Sequence, residues 1–326
     1  MPRPPLAHRW LVWAAALFAA ACVSLPPNRK EAPIPVVHRG GDAAAAEYAE
    51  RYPEAKARLF ERLNRERRAA GAAPVAYDLL GARVGDAFCL DAAAARTSGH
   101  WDTAGRPPYL RWALAGGVDY HGENFGALTR TGGDVGESEV ARLLLDSHGE
   151  MMAELPPHDG HRRTVLDPDW THVGIGAAVV GGEFRMVEEF SRRVALWVEV
   201  PEGPVPAGAR APFAVKLPPG WMLASLEVAF EPAPRPMSRE EIHRRRSYGY
   251  PDASQRLLAR APANHQYTDG SRGEVDLVGG VARAKISLRS GPGNYFVFVF
   301  GAQGSYDGRT LSPLAVALIQ ATPPPS

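Results

Sequence analysis

The spacing of apolar residues changes character along this chain, and the change falls at the Pro- and Gly-punctuated stretch Pro201 to Gly208. Upstream, Ala55, Leu59 and Leu63, with Phe60 beside them, form a helical stripe that begins near Pro53 and stops at Gly71. Leu79, Leu80, Val84 and Phe88 predict a second helix running to about Arg96 with Asp78 as its cap, and Ser138 is placed to cap a third over Glu139 to Leu155. Downstream, Phe213 to Leu217, Leu223 to Phe230, Val281 to Leu288, Tyr295 to Phe300 and Leu314 to Ile319 are apolar over strand lengths, separated by Gly, Pro and Asp. Such a chain fits neither an all-α nor an all-β class. An α+β fold is expected, with residues 47–198 as one domain and 205–322 as a small all-β, immunoglobulin-like sandwich.

Within the first domain, Val173 to Val180, Phe184 to Phe190 and Val194 to Val200 read as strands, and Gly181-Gly182 as the turn of a hairpin. Gly81 and Gly85 fall inside the second helix, where each costs about 1 kcal/mol relative to Ala, so close packing against a neighbour is expected there. Trp101 to Asp119 reads as loop plus one short helix. Met237 to Ala261, with Arg239, Glu240, Glu241, Arg244 and Arg245, reads as a solvated helix and loop.

Six of the ten histidines lie between Ser98 and Phe190: His100, His121, His148, His158, His161 and His172. Three runs place imidazoles and a carboxylate beside glycines: Ser98-Gly99-His100-Trp101, Gly122-Glu123-Asn124-Phe125, and Gly160-His161-Arg162 leading into Gly174-Ile175-Gly176. Neutral imidazole is the commonest protein ligand for transition metals, and a nearby carboxylate serves as ligand, orienter or general base. The spacing fits no helical zinc motif, so a site here must be assembled from separate segments.

In this order the runs resemble the CAP superfamily, the domain shared by cysteine-rich secretory proteins, antigen 5 and pathogenesis-related 1 proteins, also called the SCP domain. The likeness covers roughly Glu47 to Val198 and includes Leu63-Asn64-Arg65-Glu66-Arg67, as in bacterial members. It implies an α/β/α sandwich whose cleft carries two histidines and two glutamates. His100, Glu123 and His161 match three of them. The fourth, three residues past an aromatic that Met151 replaces here, points to Glu154, with Glu150 one helical turn away as the competing choice.

Residues 1–22 read as an export signal, with Arg3, His8 and Arg9 before the apolar run Trp10 to Ala21. Ala19-Ala20-Ala21-Cys22 resembles a bacterial lipobox, which makes Cys22 the expected lipidation site and mature N-terminus, with residues 23–46 as a Pro- and Ala-rich tether. The expectation is an exported cell-envelope lipoprotein anchored to the membrane by lipid, with plain secretion as the alternative. Cys89 is then the only cysteine left, so no intrachain disulfide forms. A net charge of +1 gives no basic field for nucleic acid.

Three uses of the cleft stay open. It binds a ligand or a divalent metal such as zinc without turnover. Alternatively, it is a metal-assisted hydrolase, a peptidase, in which His100 and His161 hold the ion and Glu123 or Glu154 activates water. In the third, the carboxylates tie the loops together. A nucleophilic role for Ser98 beside His100 lacks an oxyanion hole and a base.

Overall fold

In a computed structural model, residues 48–130, 135–245, 247–304 and 311–324 are described. The expected signal, Cys22 and the tether lie outside them. Among the described residues no helix is long and apolar enough to cross a membrane.

The chain mixes helices and sheets, as an α+β class requires. Helix α1 (Pro53–Ala69) has Pro in its first turn and buries Ala55, Leu59 and Leu63. After the short strand β1 (Ala76–Tyr77), α2 (Leu79–Ala95) begins where the Asp78 carboxylate accepts from the Leu80 amide at 3.0 Å. Helix α3 (Pro108–Leu114) precedes the ten-residue strand β2 (Tyr120–Thr129), so the Gly-Glu-Asn run lies inside a long strand. Helix α4 (Glu137–Met152) is followed by α5 (Gly160–Leu166) and by the hairpin of β3 (His172–Val180) and β4 (Glu183–Arg192). Helix α4 differs from expectation at both ends. Gly136 occupies the cap position, so Ser138 is helical, and the helix stops at Met152, which leaves Glu154 in the turn beyond it.

The first sheet has the order β1-β3-β4-β2, with β1 parallel to β3 and the rest antiparallel. Gly181 and Gly182, at φ 55° and 85°, turn the hairpin as the Gly-Gly pair predicts. One face packs Ile175, Ala177, Phe184 and Met186 against Leu59 of α1 and Val140, Leu143 and Leu144 of α4. On the other, α2 sets Phe88, Cys89 and Ala92 on Ala178 and Val187. The helix approaches β3 glycine to glycine: a Cβ on Gly85 would stand 2.9 Å from the Cα of Gly176, and one on Gly81 3.0 Å from that of Gly174.

The second part holds two sheets. One, β10-β11-β7-β5, comprises Asp276–Val278, Val281–Ser287, Arg210–Lys216 and Leu196–Glu199. The other, β6-β13-β12-β8-β9, comprises Val205–Pro206, Ser312–Thr322, Gly293–Gln303, Trp221–Glu231 and Ala253–Leu257. Trp197, Phe213, Val215, Leu226, Val228, Tyr295 and Val297 share their core. Strand β5, read from sequence as the end of the first domain at residue 198, pairs with β7 instead, so hydrogen bonding divides the chain between β4 and β5.

Strand β12 is buried on both faces, which is why Tyr295 to Phe300 is continuously apolar. Tyr295, Val297 and Val299 point into the two-sheet core. Phe296 and Phe298 point the other way and pack with Tyr109 and Leu110 of α3. Between β8 and β9 the chain leaves its sheet, makes the helix α6 (Arg239–Arg244) with a capping box at Ser238 and Glu241, and runs along residues 99–123.

Candidate functional site

The four residues named by the sequence form two separate pairs. His100 Nδ1 lies 2.8 Å from Glu123 Oε1, and the other Glu123 oxygen receives the Arg111 guanidinium in a short contact. His161 Nδ1 lies 2.5 Å from Glu154 Oε1, while Glu154 Oε2 accepts from the His161 amide at 2.9 Å. Glu150, the competing choice, is exposed.

Strand alternation separates the pairs. Glu123 is opposite Glu189 on β4, on the face covered by α2. Asn124 is opposite Glu188 on the other face, where its amide donates to Glu188 at 3.0 Å and to the His161 carbonyl at 3.1 Å. Neighbouring residues of β2 thus contact His100 and the His161 backbone from opposite faces of the sheet. Among the described residues no three His, Cys, Asp or Glu side chains are gathered as metal ligands. With one Glu123 oxygen committed to an imidazole and the other to a guanidinium, the donor set around His100 does not fit a zinc site.

Around Glu123 the sheet buries more chemistry than the motifs announce. Glu189 is fully buried, and His121 Nε2 stands 2.8 Å from its Oε2 under the stacked ring of Trp112. Burial raises the Glu189 carboxyl well above the usual carboxylate range, and the negative charge of Glu123 raises it further. Burial works the same way on Glu123, but Arg111 first and His100 next outweigh it and hold Glu123 below its ordinary value. Burial also drops His121 to about 3. His121 is therefore neutral at neutral pH, while burial favours the neutral form of Glu189 and Arg111 favours the ionised form of Glu123. Arg111 also donates to the carbonyls of His100 and Arg106, at 2.7 and 3.0 Å, and lies 3.7 Å over the Phe88 ring.

The other face carries a second buried group. His148 bridges Glu188, 2.5 Å from Nδ1, and Glu66, 2.6 Å from Nε2. Burial alone would lower its pKa, but the two carboxylates outweigh burial and raise it.

Sequence reasoning missed Glu189, Arg111 and Tyr248. A Glu188-Glu189 pair between Val187 and Phe190 in a strand was a usable sign of buried carboxylates; nothing in its spacing marked Arg111. Tyr248 comes from the stretch read as a solvated helix and loop. Its hydroxyl accepts from the Glu123 amide at 2.6 Å, and its ring lies 4.8 Å from that of His100.

No family model and no curated protein matches the sequence. Among solved structures the chain is similar to an outer surface protein from Borrelia burgdorferi, at 14% identity over 45% of this chain and 98% of that one, with a TM-score of 0.36. It is also similar to an extracellular protein containing an SCP domain from Bacillus anthracis str. Ames, at 22% identity over 41% of this chain and 39% of that one, with a TM-score of 0.32. A third likeness is to NaASP2, solved with Zn2+, at 13% identity over 42% of this chain and 79% of that one, with a TM-score of 0.32. These are partial likenesses and carry no functional argument.

Proposed function

We propose that the part of this chain before β5 is a CAP-type, SCP-like domain with an α/β/α sandwich architecture, exported and tethered at the cell envelope through Cys22, and that it binds a ligand without turning it over. The immunoglobulin-like sandwich that follows is docked against it. The family reading rests on the order of the motifs at Asn64, His100, Glu123 and His161 and on helices covering both faces of one short sheet.

The observation that carries the binding reading is that each imidazole is held through Nδ1 by its own carboxylate. This fixes the ring and leaves Nε2 as the atom free to meet a ligand. The same arrangement disfavours acid–base work at His100. A general base is most useful with a pKa near the working pH, and Glu123 is held below its ordinary value and neutralised by Arg111. The His161–Glu154 pair is the more open of the two, with 36% and 23% of its side chains exposed against 13% and 0% for His100 and Glu123. It is the side from which a soluble ligand would be met first.

The test compares the full chain with a His100→Ala plus His161→Ala variant. Zinc retained after dialysis and hydrolysis of unfolded casein are measured on both. Expected is no stoichiometric zinc and no turnover that the substitutions remove. Zinc-dependent hydrolysis lost in the variant would establish the metal-assisted peptidase instead. For the anchor, intact mass of the protein from the membrane fraction should report a lipidated chain beginning at Cys22; an unmodified chain in the soluble fraction refutes that part.

A further inference from the structure

Strand β2 is the outer strand of its sheet, so every second residue turns its backbone N–H and C=O away from the ladder. At Glu123 both groups meet one phenol: Tyr248 Oη accepts from the amide at 2.6 Å and donates to the carbonyl at 3.3 Å. Two residues along, the Tyr250 ring packs on Tyr120, the first residue of the same strand. Burial pushes both phenols up, so both remain protonated and able to donate.

The rings fill the surroundings as a ligand would. Tyr248 lies 4.8 Å from His100, and Tyr250 stacks on Tyr109 at 4.4 Å and on Tyr120 at 5.6 Å. The preceding turn is also fitted to this surface. The Met237 amide donates to the Thr103 carbonyl at 3.0 Å, the Arg245 guanidinium lies 4.2 Å over the Trp101 ring, and Gly105 faces the Arg235 carbonyl where a Cβ would collide. A structural loop between β8 and β9 would need only a few residues to pair those two antiparallel strands. This one runs from Pro232 to Asp252 and reaches the edge of another sheet on the way.

We propose that the free edge of β2 from His121 to Phe125 is a binding site for an extended, tyrosine-bearing peptide segment, filled in this chain by its own residues 247–250. The amide and carbonyl of Glu123 supply a donor and an acceptor for one phenol, and the ring slots at His100 and Tyr109 supply the preference for alternate tyrosines. The inference rests on the reading of the His100–Glu123 half as a ligand-facing surface, and it makes Tyr248 and Tyr250 the groups an incoming peptide must displace. Because the chain's own segment is tethered, it acts at a high effective concentration and excludes the same peptide in solution.

The experiment uses the full chain, a Tyr248→Ala plus Tyr250→Ala variant and a Tyr248→Phe plus Tyr250→Phe variant, which keeps the rings and removes only the hydroxyls. Two quantities are read: the rate at which diethyl pyrocarbonate modifies His100, resolved by peptide mass spectrometry, and the binding of a fluorescent peptide of residues 247–252. Expected is a rise in His100 modification of at least about tenfold in the Ala variant, the factor that about one hydrogen bond contributes to the closed state, with a smaller rise in the Phe variant. The peptide should bind the Ala variant at least about tenfold more tightly than the full chain, whose edge is already occupied. Unchanged His100 reactivity in both folded variants overturns the proposal and leaves the His100–Glu123 reading untouched. A reactive His100 with no peptide bound also overturns the peptide site, and the binding role of the imidazoles is then decided by the zinc and hydrolysis comparison. Should the Ala variant fail to fold, the Phe variant carries both readouts under the same criteria.

Discussion

Substituting Gly85 by Ala should destabilise the protein, although the same change in an ordinary helix interior stabilises it. In α2 the added methyl gains about 1 kcal/mol of helix propensity. It would also stand 2.7 Å from Val187 Cγ2 and 2.9 Å from Gly176 Cα, where ordinary contact begins at 3.4 Å. One of these neighbours is a β-branched side chain with restricted χ1, and the other is backbone in the middle of a paired strand. Relief therefore requires the helix to lift from the sheet by roughly half an ångström along a buried face, and overpacking of this kind costs about 1–3 kcal/mol. Taking the upper part of that range because backbone is involved, the net loss is about 2 kcal/mol, or about 3 °C in Tm for a chain of 326 residues unfolding as one unit. Urea unfolding followed by circular dichroism should show a lower midpoint at unchanged slope. Gly81→Ala, whose nearest atom is at 3.0 Å, should lie closer to neutral, and Gly203→Ala, with nothing within 4 Å, gives the background. A Gly85→Ala protein as stable as the parent or more so would refute the reasoning, because propensity alone would then decide the sign.

Removing the cation in Arg111→Met should cost about 3–5 kcal/mol, since it leaves the buried Glu123 carboxylate without its partner; Arg111→Lys should not restore it, because one ammonium cannot serve Glu123 and the carbonyls of His100 and Arg106 in the same plane. The pKa of His148 is raised in the folded state, so its contribution is complete below the unfolded value of about 6.5 and is lost as pH rises through the folded value. The urea midpoint of the parent should therefore exceed that of His148→Gln most at pH 5.5–6.5 and converge toward it at higher pH; a gap that widens with pH contradicts the assignment. Because Tyr109 and Leu110 share a core with Phe296 and Phe298, unfolding followed by tryptophan fluorescence and by far-ultraviolet circular dichroism should coincide in one transition; two separated transitions would mean that this shared core is too weak to couple the parts.

Much of the fold is legible in local pattern. The stripe Ala55, Leu59, Leu63, the cap at Asp78, the Gly181-Gly182 turn and the close approach implied by Gly81 and Gly85 are consequences of residues within a turn or two of one another. The residue runs also single out His100, Glu123, Glu154 and His161; in the fold His100 stands beside Glu123 and His161 beside Glu154. The start of α4 departs from the sequence pattern because Ser138 is a good cap that tertiary packing leaves unused. Strand β5 departs from it because four apolar residues after a hairpin do not reveal which sheet they will join.

What the sequence by itself determined, then, is the class of the fold, the order of its elements and the residue types available for chemistry, because periodicity and turn preference act over short spans. Only the tertiary structure decided how those residues are grouped. Alternation along β2 sends Glu123 and Asn124 to opposite faces, so Glu123 meets His100 while Asn124 meets the His161 backbone. Pairing of β2 with β4 brings Glu189 beside Glu123, and the excursion between β8 and β9 brings Tyr248 onto His100 from 148 positions away in the chain. Contacts of that kind are made by the register of a sheet and the docking of one core on another, and neither is written in the spacing of neighbouring residues.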